Sequence, residues 1–466
     1  MKIIILGGGQ VGLNIANSLI KAGHDHDIAI IDSDASKLRE LQLRLDIKTI
    51  CYWASHPWAL VAAEADNADL LIAVTSSDEV NFVACQVAYS LFDIPVKIAR
   101  IRNREYFTYP ELFSSDNLPV DIFISPEELI TQQIQELIMY SGADQVCSFA
   151  KNLIKVLVIK VNIKCPLLNI NIEQLQLKLK IAKIMAIYRT NKLLSNNEYE
   201  ITLQNNDEIV LAVGTQNIED IFEILNIKNR FIRNVIISGG SNIGVYLAKI
   251  LEKKYHIKLI ESDQKLATDI ADNLSNTTIL QGEITDKELL INENIDNTDI
   301  FCAVSSNDAN NIMSSLLAKK LGAKKTITLV KDKIYLELIT DNEIDIMLSP
   351  HQLTSNDILR YVREADIAKI YSLNKSEAII IEFIIDKDIK NNHIINQKLS
   401  KIKFSKGIVF GAILRNNKVL IIDSDTIIMI NDHLIVFASD NKKVIQLEKI
   451  FQTKKNILEK HSIVNV

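Results

Sequence analysis

Short runs of apolar residues alternate along this chain with longer segments in which apolar residues recur every three or four positions. Residues 2–6 read KIIIL, and VGLNIANSLIKAG follows with helical spacing. The alternation continues through DLLIAV, EVNFVACQVAYSLF and VKIARI. A fully apolar run predicts a strand buried on both faces, and strands that alternate with helices predict a parallel sheet covered by helices on both sides.

The opening pattern of strand, glycine turn and helix occurs twice. MKIIILGGGQVGLNIA at the start of the chain is matched by NVIISGGSNIGVYLA at residues 234–248. Five landmarks keep a nearly constant spacing between the copies, which indicates a duplication. The matched pairs are Gly7 and Gly239, Asp32 and Glu261, Asp78 and Asp308, Asn81 and Asn311, and Pro126 and Pro350.

A different pattern follows each large copy. Short strands lead to a closing helix in DEIVLAVGTQNIEDIFEIL, and NDHLIVFASDNKKVIQLEKIF repeats that ending. The predicted fold class is therefore α/β, with two tandem repeats, each a Rossmann-like doubly wound parallel-sheet domain followed by a small α+β domain. The predicted domains are residues 1–140 (large), 145–228 (small), 232–358 (large) and 368–453 (small).

Composition narrows the functional classes. A chain of 466 residues is long enough for three or four domains of roughly 100 to 200 residues each. The formal net charge of -6 argues against a nucleic-acid partner. Five cysteines without CxxC spacing predict reduced core residues in a cytoplasmic protein. The sequence has no signal-peptide layout and no apolar run of about 20 residues. If the protein acts at a membrane, we therefore expect it to do so without crossing the bilayer.

The first glycine turn has the layout of a nucleotide site. Gly7 permits a tight turn, Gly9 lets the backbone approach a pyrophosphate, and Gly12 lets the helix pack on the sheet. The helix N-terminus offers N–H groups to phosphates. Asp32, at the end of the second strand, can accept both ribose hydroxyls and would repel a 2'-phosphate. This favours NAD(H), ADP or ATP over NADP; the alternative is a doubly wound domain whose glycine turn holds no ligand.

Two further strand ends face the same crevice. Thr75 and Ser76 follow the fourth strand, where their hydroxyls could contact a ligand; alternatively, Ser77 or Asp78 caps the next helix. Arg100 ends the fifth strand and is expected to contact phosphate, with an ion pair at a domain interface as the competing role. Leu329 takes that position in the second copy, and Ser241 replaces Gly9, so its side chain should crowd a pyrophosphate there.

The whole chain resembles the TrkA family, the nucleotide-binding regulatory proteins of Trk potassium uptake systems, which are built from two regulator-of-potassium-conductance (RCK) repeats. The motifs that carry the resemblance span both halves: MKIIILGGGQVG, LLIAVTSSDEVNFVACQVAYSLF, KIARIR, KLIESD, ANNIMSSLLAKKLGAKK and IDIMLSPHQLT. The resemblance implies an RCK N-terminal and a smaller RCK C-terminal domain in each repeat. It also implies assembly into a ring, with a tetramer expected, that docks on the cytoplasmic face of a membrane-embedded potassium-translocating subunit.

The resemblance also assigns two nucleotide sites, for NAD(H) or alternatively ATP or ADP. After the third strand the family has a glycine-containing turn, kept here as Gly282-Glu283 in the second copy. The first copy has Tyr52-Trp53, which could stack on an adenine or fill its pocket. The expected first site comprises Gly7, Gly8, Gly9, Gln10, Val11, Gly12, Asp32, Thr75 and Arg100; the second comprises Gly239, Gly240, Ser241, Asn242, Ile243, Gly244, Glu261 and Ser305.

Two classes of function fit a duplicated dinucleotide fold. An NAD-dependent oxidoreductase would need a proton-transfer residue in a substrate pocket, and neither small domain offers one. A ligand-operated gate needs only a difference in nucleotide affinity between two states. We therefore predict a non-enzymatic cytoplasmic regulatory subunit, peripheral on the inner face of the cell membrane, that gates a Trk-type potassium transporter. We predict no catalytic residue and no metal site.

Overall fold

The computed structural model confirms the predicted fold class. It describes residues 1–453 except 22–25, 114–116, 195–200, 228, 230, 340–342, 364, 374–375, 391–393 and 403. Two six-stranded parallel sheets and two five-stranded antiparallel sheets alternate along this described part of the chain. Each parallel sheet and the antiparallel sheet that follows it make one repeat.

The first parallel sheet has the strand order β3-β2-β1-β4-β5-β6, the order of a dinucleotide-binding fold. This order places the topological switch point between β1 and β4, where the crevice for a ligand opens. The bounds are β1 Lys2–Leu6, α1 Gln10–Lys21, β2 Asp27–Asp32, α2 Ala35–Arg44, β3 Lys48–Cys51, α3 Pro57–Ala62, β4 Leu70–Ala73, α4 Asp78–Phe92, β5 Val96–Arg100, β6 Ile122–Ile124 and α5 Pro126–Met139.

The first antiparallel sheet has the strand order β10-β9-β11-β8-β7. Its β8 and β11 are buried along almost their whole length, and each lies between two neighbouring strands of the sheet. The bounds are β7 Gln145–Phe149, β8 Ile154–Lys160, α6 Ile172–Lys178, β9 Ala182–Arg189, β10 Lys192–Leu193, β11 Glu208–Gly214 and α7 Ile218–Ile224.

The second parallel sheet repeats the first, with the order β14-β13-β12-β15-β16-β17. The bounds are β12 Asn234–Ser238, α8 Asn242–Leu251, β13 His256–Glu261, α9 Gln264–Asn273, β14 Thr277–Gln281, α10 Lys287–Asn292, β15 Ile300–Ala303, α11 Asp308–Lys320, β16 Lys325–Leu329, α12 Lys333–Leu338, β17 Ile346–Leu348 and α13 Pro350–Val362. Positions matched in the sequence therefore fall on matched elements.

The second antiparallel sheet has the order β18-β19-β22-β20-β21 and closes with a helix, as the repeated ending predicts. The bounds are β18 Ile367–Ser372, β19 Ile379–Ile384, β20 Ile408–Arg415, β21 Lys418–Ile421, β22 His433–Ala438 and α14 Asn441–Phe451.

Apolar side chains on the central strands form the cores of the large domains. Ile3, Ile4 and Ile5 of β1 have no exposed surface, and Ile237 and Phe301 are buried in the second sheet. Burial of an aliphatic side chain of this size contributes about 1.5–3 kcal/mol. The central strands therefore hold the following glycine turns at the carboxyl edge of each sheet.

The described chain divides into two compact units. One combines residues 1–126 with 351–466, and the other spans residues 127–350. Each unit thus contains one parallel sheet and one antiparallel sheet. Among the described residues, no helix has both the length and the apolar character needed to cross a membrane.

Candidate nucleotide sites

The first glycine turn connects β1 to α1 and is shaped by two glycines that the fold itself requires. Gly7 has a φ of 109°, a conformation that favours glycine, and its N–H donates to the Ile31 carbonyl oxygen over 2.8 Å. A Cβ at Gly12 would overlap the carbonyl oxygen of Gly7. These two glycines therefore let α1 start immediately above the sheet.

Gly9 is different, because the fold places no demand on it. Its φ lies outside the left-handed region, and a methyl group at this position would meet no atom within 4 Å in the described structure. Gly9 accepts the first helical hydrogen bond, from the Leu13 N–H over 2.9 Å, so it is the N-cap of α1. Gly9 and Gln10 are exposed and Val11 is buried. The start of α1 is thus open to a ligand.

Asp32 is held against this turn by two backbone hydrogen bonds. The Gly8 N–H donates to Asp32 Oδ2 over 2.7 Å, and the Asp34 N–H donates to Oδ1 over 2.8 Å. Each carboxylate oxygen has two lone pairs, so each keeps one acceptor position. The half-buried carboxylate can therefore tie the turn to the end of β2 and still accept ribose hydroxyls.

The structure assigns different roles to the polar residues that follow β4. Ser77 caps α4, with its Oγ accepting from the Val80 N–H over 3.2 Å. Asp78 does not cap the helix; its carboxylate accepts from the backbone N–H groups of Arg102 and Asn103. The Thr75 hydroxyl donates to Asn81 Oδ1 over 2.7 Å, and the Ser77 carbonyl oxygen is a second acceptor at 3.1 Å. A ligand that contacts Thr75 must therefore share a hydroxyl that the loop already uses.

Asn81 joins the ends of β4 and β5, a role that the sequence did not reveal. Its side chain is fully buried; Oδ1 accepts from the Thr75 N–H over 3.0 Å, and Nδ2 donates to the Arg100 carbonyl oxygen over 2.9 Å. Asn81 therefore sets the positions of two expected site residues at once. The signal in the sequence was its recurrence as Asn311.

The aromatic segment after β3 starts beside Asp32. The Tyr52 N–H donates to the Asp32 carbonyl oxygen over 3.1 Å. The Tyr52 ring packs against Trp58 and His56, with centroids 4.8 and 5.5 Å away. Trp53 is 63% exposed. Tyr52 is thus held by its own neighbours, whereas the Trp53 ring has a surface available for contact.

The second glycine turn has the same backbone arrangement. Gly239 has a φ of 111°, and a Cβ at Gly244 would overlap the Gly239 carbonyl oxygen. The Gly240 N–H donates to Glu261 Oε2 over 2.7 Å, and the Asp263 N–H donates to Oε1 over 2.9 Å. Glu261 therefore ties this turn to the end of β13, as Asp32 ties the first turn to the end of β2.

Ser241 makes the two turns unlike. It caps α8, and its Oγ accepts from the Gly244 N–H over 3.3 Å and donates to the Val304 carbonyl oxygen over 2.6 Å. The next two residues of the predicted site, Asn242 and Ile243, are exposed and half-buried. The hydroxyl at position 241 is thus held inside the turn by hydrogen bonds to the protein.

The strand ends of the second sheet are tied like those of the first. Asn311 is fully buried; its Oδ1 accepts from the Ser305 N–H over 2.8 Å, and its Nδ2 donates to the Leu329 carbonyl oxygen over 3.0 Å. Asn307 caps α11 in the place of Ser77. Arg100, expected in the first site, and Leu329 therefore occupy equivalent positions in the two repeats.

The buried cysteines Cys85 and Cys302 are not suited to nucleophilic chemistry. Burial raises the pKa of the Cys85 and Cys302 thiols to about 12. Cys51, at the end of β3, is exposed. No group of three or more His, Cys, Asp or Glu side chains within the described ranges could hold a metal ion.

Comparison with known sequences matches both large domains to one family. The family model of the TrkA-N domain matches residues 3–126 and 235–350. The chain is 38% identical over 454 residues to the Trk system potassium uptake protein TrkA of Halomonas elongata, which covers 97% of this chain and 99% of that protein. It is 39% identical over 455 residues to the TrkA of Vibrio alginolyticus, with the same coverage.

Comparison with solved structures supports the fold. The crystal structure of the GsuK RCK domain has a TM-score of 0.60 at 14% sequence identity, covering 96% of this chain and 94% of that chain. The GsuK channel bound to NAD has a TM-score of 0.59 at 14% identity, covering 96% of this chain and 78% of that one. The likeness extends over nearly the whole of this chain in both cases.

Proposed function

This chain belongs to the TrkA family of Trk system potassium uptake proteins, and from that premise we propose that it is a nucleotide-binding regulatory subunit that gates a membrane potassium transporter. The proposed ligand is NAD(H), with ATP and ADP as alternatives. The proposed partner is a Trk-type potassium-translocating subunit, which this chain contacts from the cytoplasmic side as a ring, with four chains expected.

The observation that carries the proposal is the open start of α1 beside Asp32. Gly9 leaves the helix N-terminus accessible, where N–H groups and the helix dipole favour phosphate. The Asp32 carboxylate keeps one acceptor position on each oxygen. A diphosphate at the turn and a ribose at Asp32 fit this arrangement, and the like fold of the GsuK channel bound to NAD supports it.

The chemistry required of this site is binding alone. A nucleotide biases a transporter when it binds one arrangement of the ring more tightly than another. Coupling of roughly 1–3 kcal/mol per site, typical of allosteric proteins, changes an equilibrium about 5- to 150-fold. Arg100 at the end of β5 is proposed to contact phosphate. A nucleotide at the turn would then contact the ends of both β1 and β5.

Flux through the reconstituted complex tests this function. The full chain is added to proteoliposomes that contain the Trk-type membrane subunit of its own organism, and rubidium uptake is measured with NADH, NAD, ATP or ADP. At least one nucleotide should change the rate several-fold in the wild type, while Asp32→Ala should reduce that response. A rate that ignores all four nucleotides contradicts gating.

The same preparation separates the regulator from an oxidoreductase. A regulator leaves NADH absorbance unchanged during transport, whereas an oxidoreductase consumes NADH in the presence of its substrate. Copurification of the chain with the membrane subunit, followed by light scattering of the free chain, tests the partner and the number of chains in the ring.

A further inference from the structure

The two glycine turns have the same backbone hydrogen bonds, and their sequences differ at three positions: Gly9 and Ser241, Gln10 and Asn242, and Val11 and Ile243. The Leu13 N–H donates to the Gly9 carbonyl oxygen, and the Val245 N–H donates to the Ser241 carbonyl oxygen, each over 2.9 Å. Positions 9 and 241 are therefore the N-caps of equivalent helices. Any difference in what the turns bind must arise from side chains.

The fold does not explain the glycine at position 9. Its ordinary φ and the empty space that a methyl group would meet there mean that serine would fit, as it does at the equivalent position of the second turn. A glycine at this point of a dinucleotide turn allows a pyrophosphate to approach the backbone. A bound pyrophosphate would thus explain why position 9 is a glycine, and the serine at position 241 does not allow the same explanation for the second turn.

The Ser241 hydroxyl also occupies a backbone N–H group that a phosphate at this turn would need. Its Oγ accepts from the Gly244 N–H, one of the donors at the helix N-terminus that has no partner within the helix. The same hydroxyl donates to the Val304 carbonyl oxygen over 2.6 Å, which fixes its position. A phosphate at this turn would have to displace a hydroxyl that already has both a donor and an acceptor.

The residues at the neighbouring strand ends also favour a diphosphate at the first turn over the second. The buried amides of Asn81 and Asn311 donate to the carbonyl oxygens of Arg100 and Leu329, which shows that these two positions are equivalent. The first repeat has an arginine at the end of β5, and the second has a leucine at the equivalent end of β16. The second site thus lacks, at this position, a cation that would stabilise a diphosphate.

We propose that Ser241 fills the phosphate position of the second turn, so that the second repeat excludes dinucleotides and each chain binds one NADH, at the first turn. The inference rests on the proposed function, because it presumes that the first turn binds a dinucleotide. Glu261 keeps its bonds to the backbone, so the second turn remains a structural copy of the first.

Equilibrium dialysis of the full chain with NADH tests the stoichiometry. The wild type should bind one NADH per chain, Asp32→Ala should lose it, and Glu261→Ala should keep it. Two NADH per chain, or loss of binding in Glu261→Ala alone, would overturn the inference while leaving nucleotide binding intact. No NADH bound by the folded wild type would overturn the inference and the choice of NAD(H) as ligand, whereas the proposed function itself falls only if transport also ignores ATP and ADP.

Exchange of the two residues tests Ser241 itself. Ser241→Gly keeps a good N-cap, so it should fold normally, and it should gain a second, weaker NADH site. Gly9→Ser should lower affinity at the first turn by roughly 10- to 100-fold, the loss expected when a charge-assisted hydrogen bond is denied. An unchanged stoichiometry in Ser241→Gly together with unchanged affinity in Gly9→Ser would exclude position 241 as the determinant.

A third variant separates the two parts of the effect. Ser241→Ala removes the hydroxyl and releases the Gly244 N–H, but it keeps the Cβ in the path of the phosphate. NADH binding at the second turn in this variant would assign the exclusion to the hydroxyl, whereas binding in Ser241→Gly alone would assign it to the Cβ. Either result supports Ser241 as the excluding residue.

Discussion

The Gly8 N–H donates to Asp32 Oδ2 over 2.7 Å, so the residue expected to recognise ribose also fastens the glycine turn to the sheet. The bond from Gly240 to Glu261 Oε2 has the same length in the second repeat. An acid at the end of the second strand therefore has a role in the fold of the turn, in addition to the role in ribose binding that we propose for Asp32. Only substitutions that separate these roles can assign either of them.

Asp32→Ala should weaken both the turn and the site. It leaves the N–H groups of Gly8 and Asp34 without their acceptor, which should cost about 1–3 kcal/mol in the free energy of unfolding. It also removes the acceptor for ribose hydroxyls, so NADH affinity should fall. Denaturant unfolding and calorimetric titration measure the two effects.

Asp32→Glu is the matched control, because Glu261 makes the same two backbone bonds in the second repeat. This variant should recover most of the stability while placing the carboxylate one methylene further from the sheet. Stability unchanged in Asp32→Ala would show that the turn does not depend on the acid.

The sequence was sufficient to predict the sheets, because their buried strands are short apolar runs and their glycine turns recur. Gly7 and Gly12 could be assigned from spacing, since backbone geometry demands glycine there. The direction of a hydroxyl could not be predicted from spacing. The sequence predicts only that the Ser241 side chain would crowd a pyrophosphate, and the structure adds that its Oγ forms hydrogen bonds to Gly244 and Val304. The amide of Asn81 was equally hidden, because its partners are backbone atoms from two other segments.

Cys51 should be the reactive thiol of the native protein. It is exposed at the end of β3, whereas the other four of the five cysteines are buried, and burial raises the pKa of Cys85 and Cys302 to about 12. A thiol reagent should therefore titrate one cysteine per chain quickly and the rest only after unfolding. Cys51→Ser should abolish the fast phase.

Nucleotide should protect that thiol. Cys51 pairs with Asp32 across neighbouring strands, so a ligand on the Asp32 carboxylate lies close to it. Saturating NADH should slow the fast phase in the wild type but not in Asp32→Ala. Equal rates with and without NADH, at concentrations where dialysis shows binding, would place the ligand away from Asp32.

Tryptophan emission should report on the first site. The chain has two tryptophans, Trp53 and Trp58, and both lie in the segment that starts beside Asp32. An adenine that stacks on the exposed Trp53 ring should quench its emission. Saturating ADP should therefore lower the emission of the wild type, and Trp53→Phe should lose most of that change.

Trp58→Phe serves as the control, because the Trp58 ring already packs against Tyr52. It should retain most of the ADP-dependent change. If ADP binds by calorimetry and the emission of the wild type stays constant, the aromatic segment fills space beside the site and does not contact adenine.

The buried amides of Asn81 and Asn311 offer a matched pair of substitutions. Each side chain satisfies at least one backbone N–H and one backbone carbonyl oxygen in a fully buried position. Replacement by alanine leaves both groups without partners, so each variant should lose about 1–3 kcal/mol in the free energy of unfolding. Destabilisation of similar size is expected because the two amides bond to equivalent backbone groups at the strand ends.

NADH affinity should distinguish the two variants. Asn81→Ala releases the ends of β4 and β5, and with them Thr75 and Arg100, so affinity at the first turn should fall. Asn311→Ala releases Ser305 and Leu329, beside a turn that we propose Ser241 closes, so NADH binding should match the wild type once the protein is folded. Titration at a temperature where both variants are fully folded decides the matter. Equal loss of affinity in both would mean that the second repeat contributes to dinucleotide binding, because stability alone then cannot account for the result.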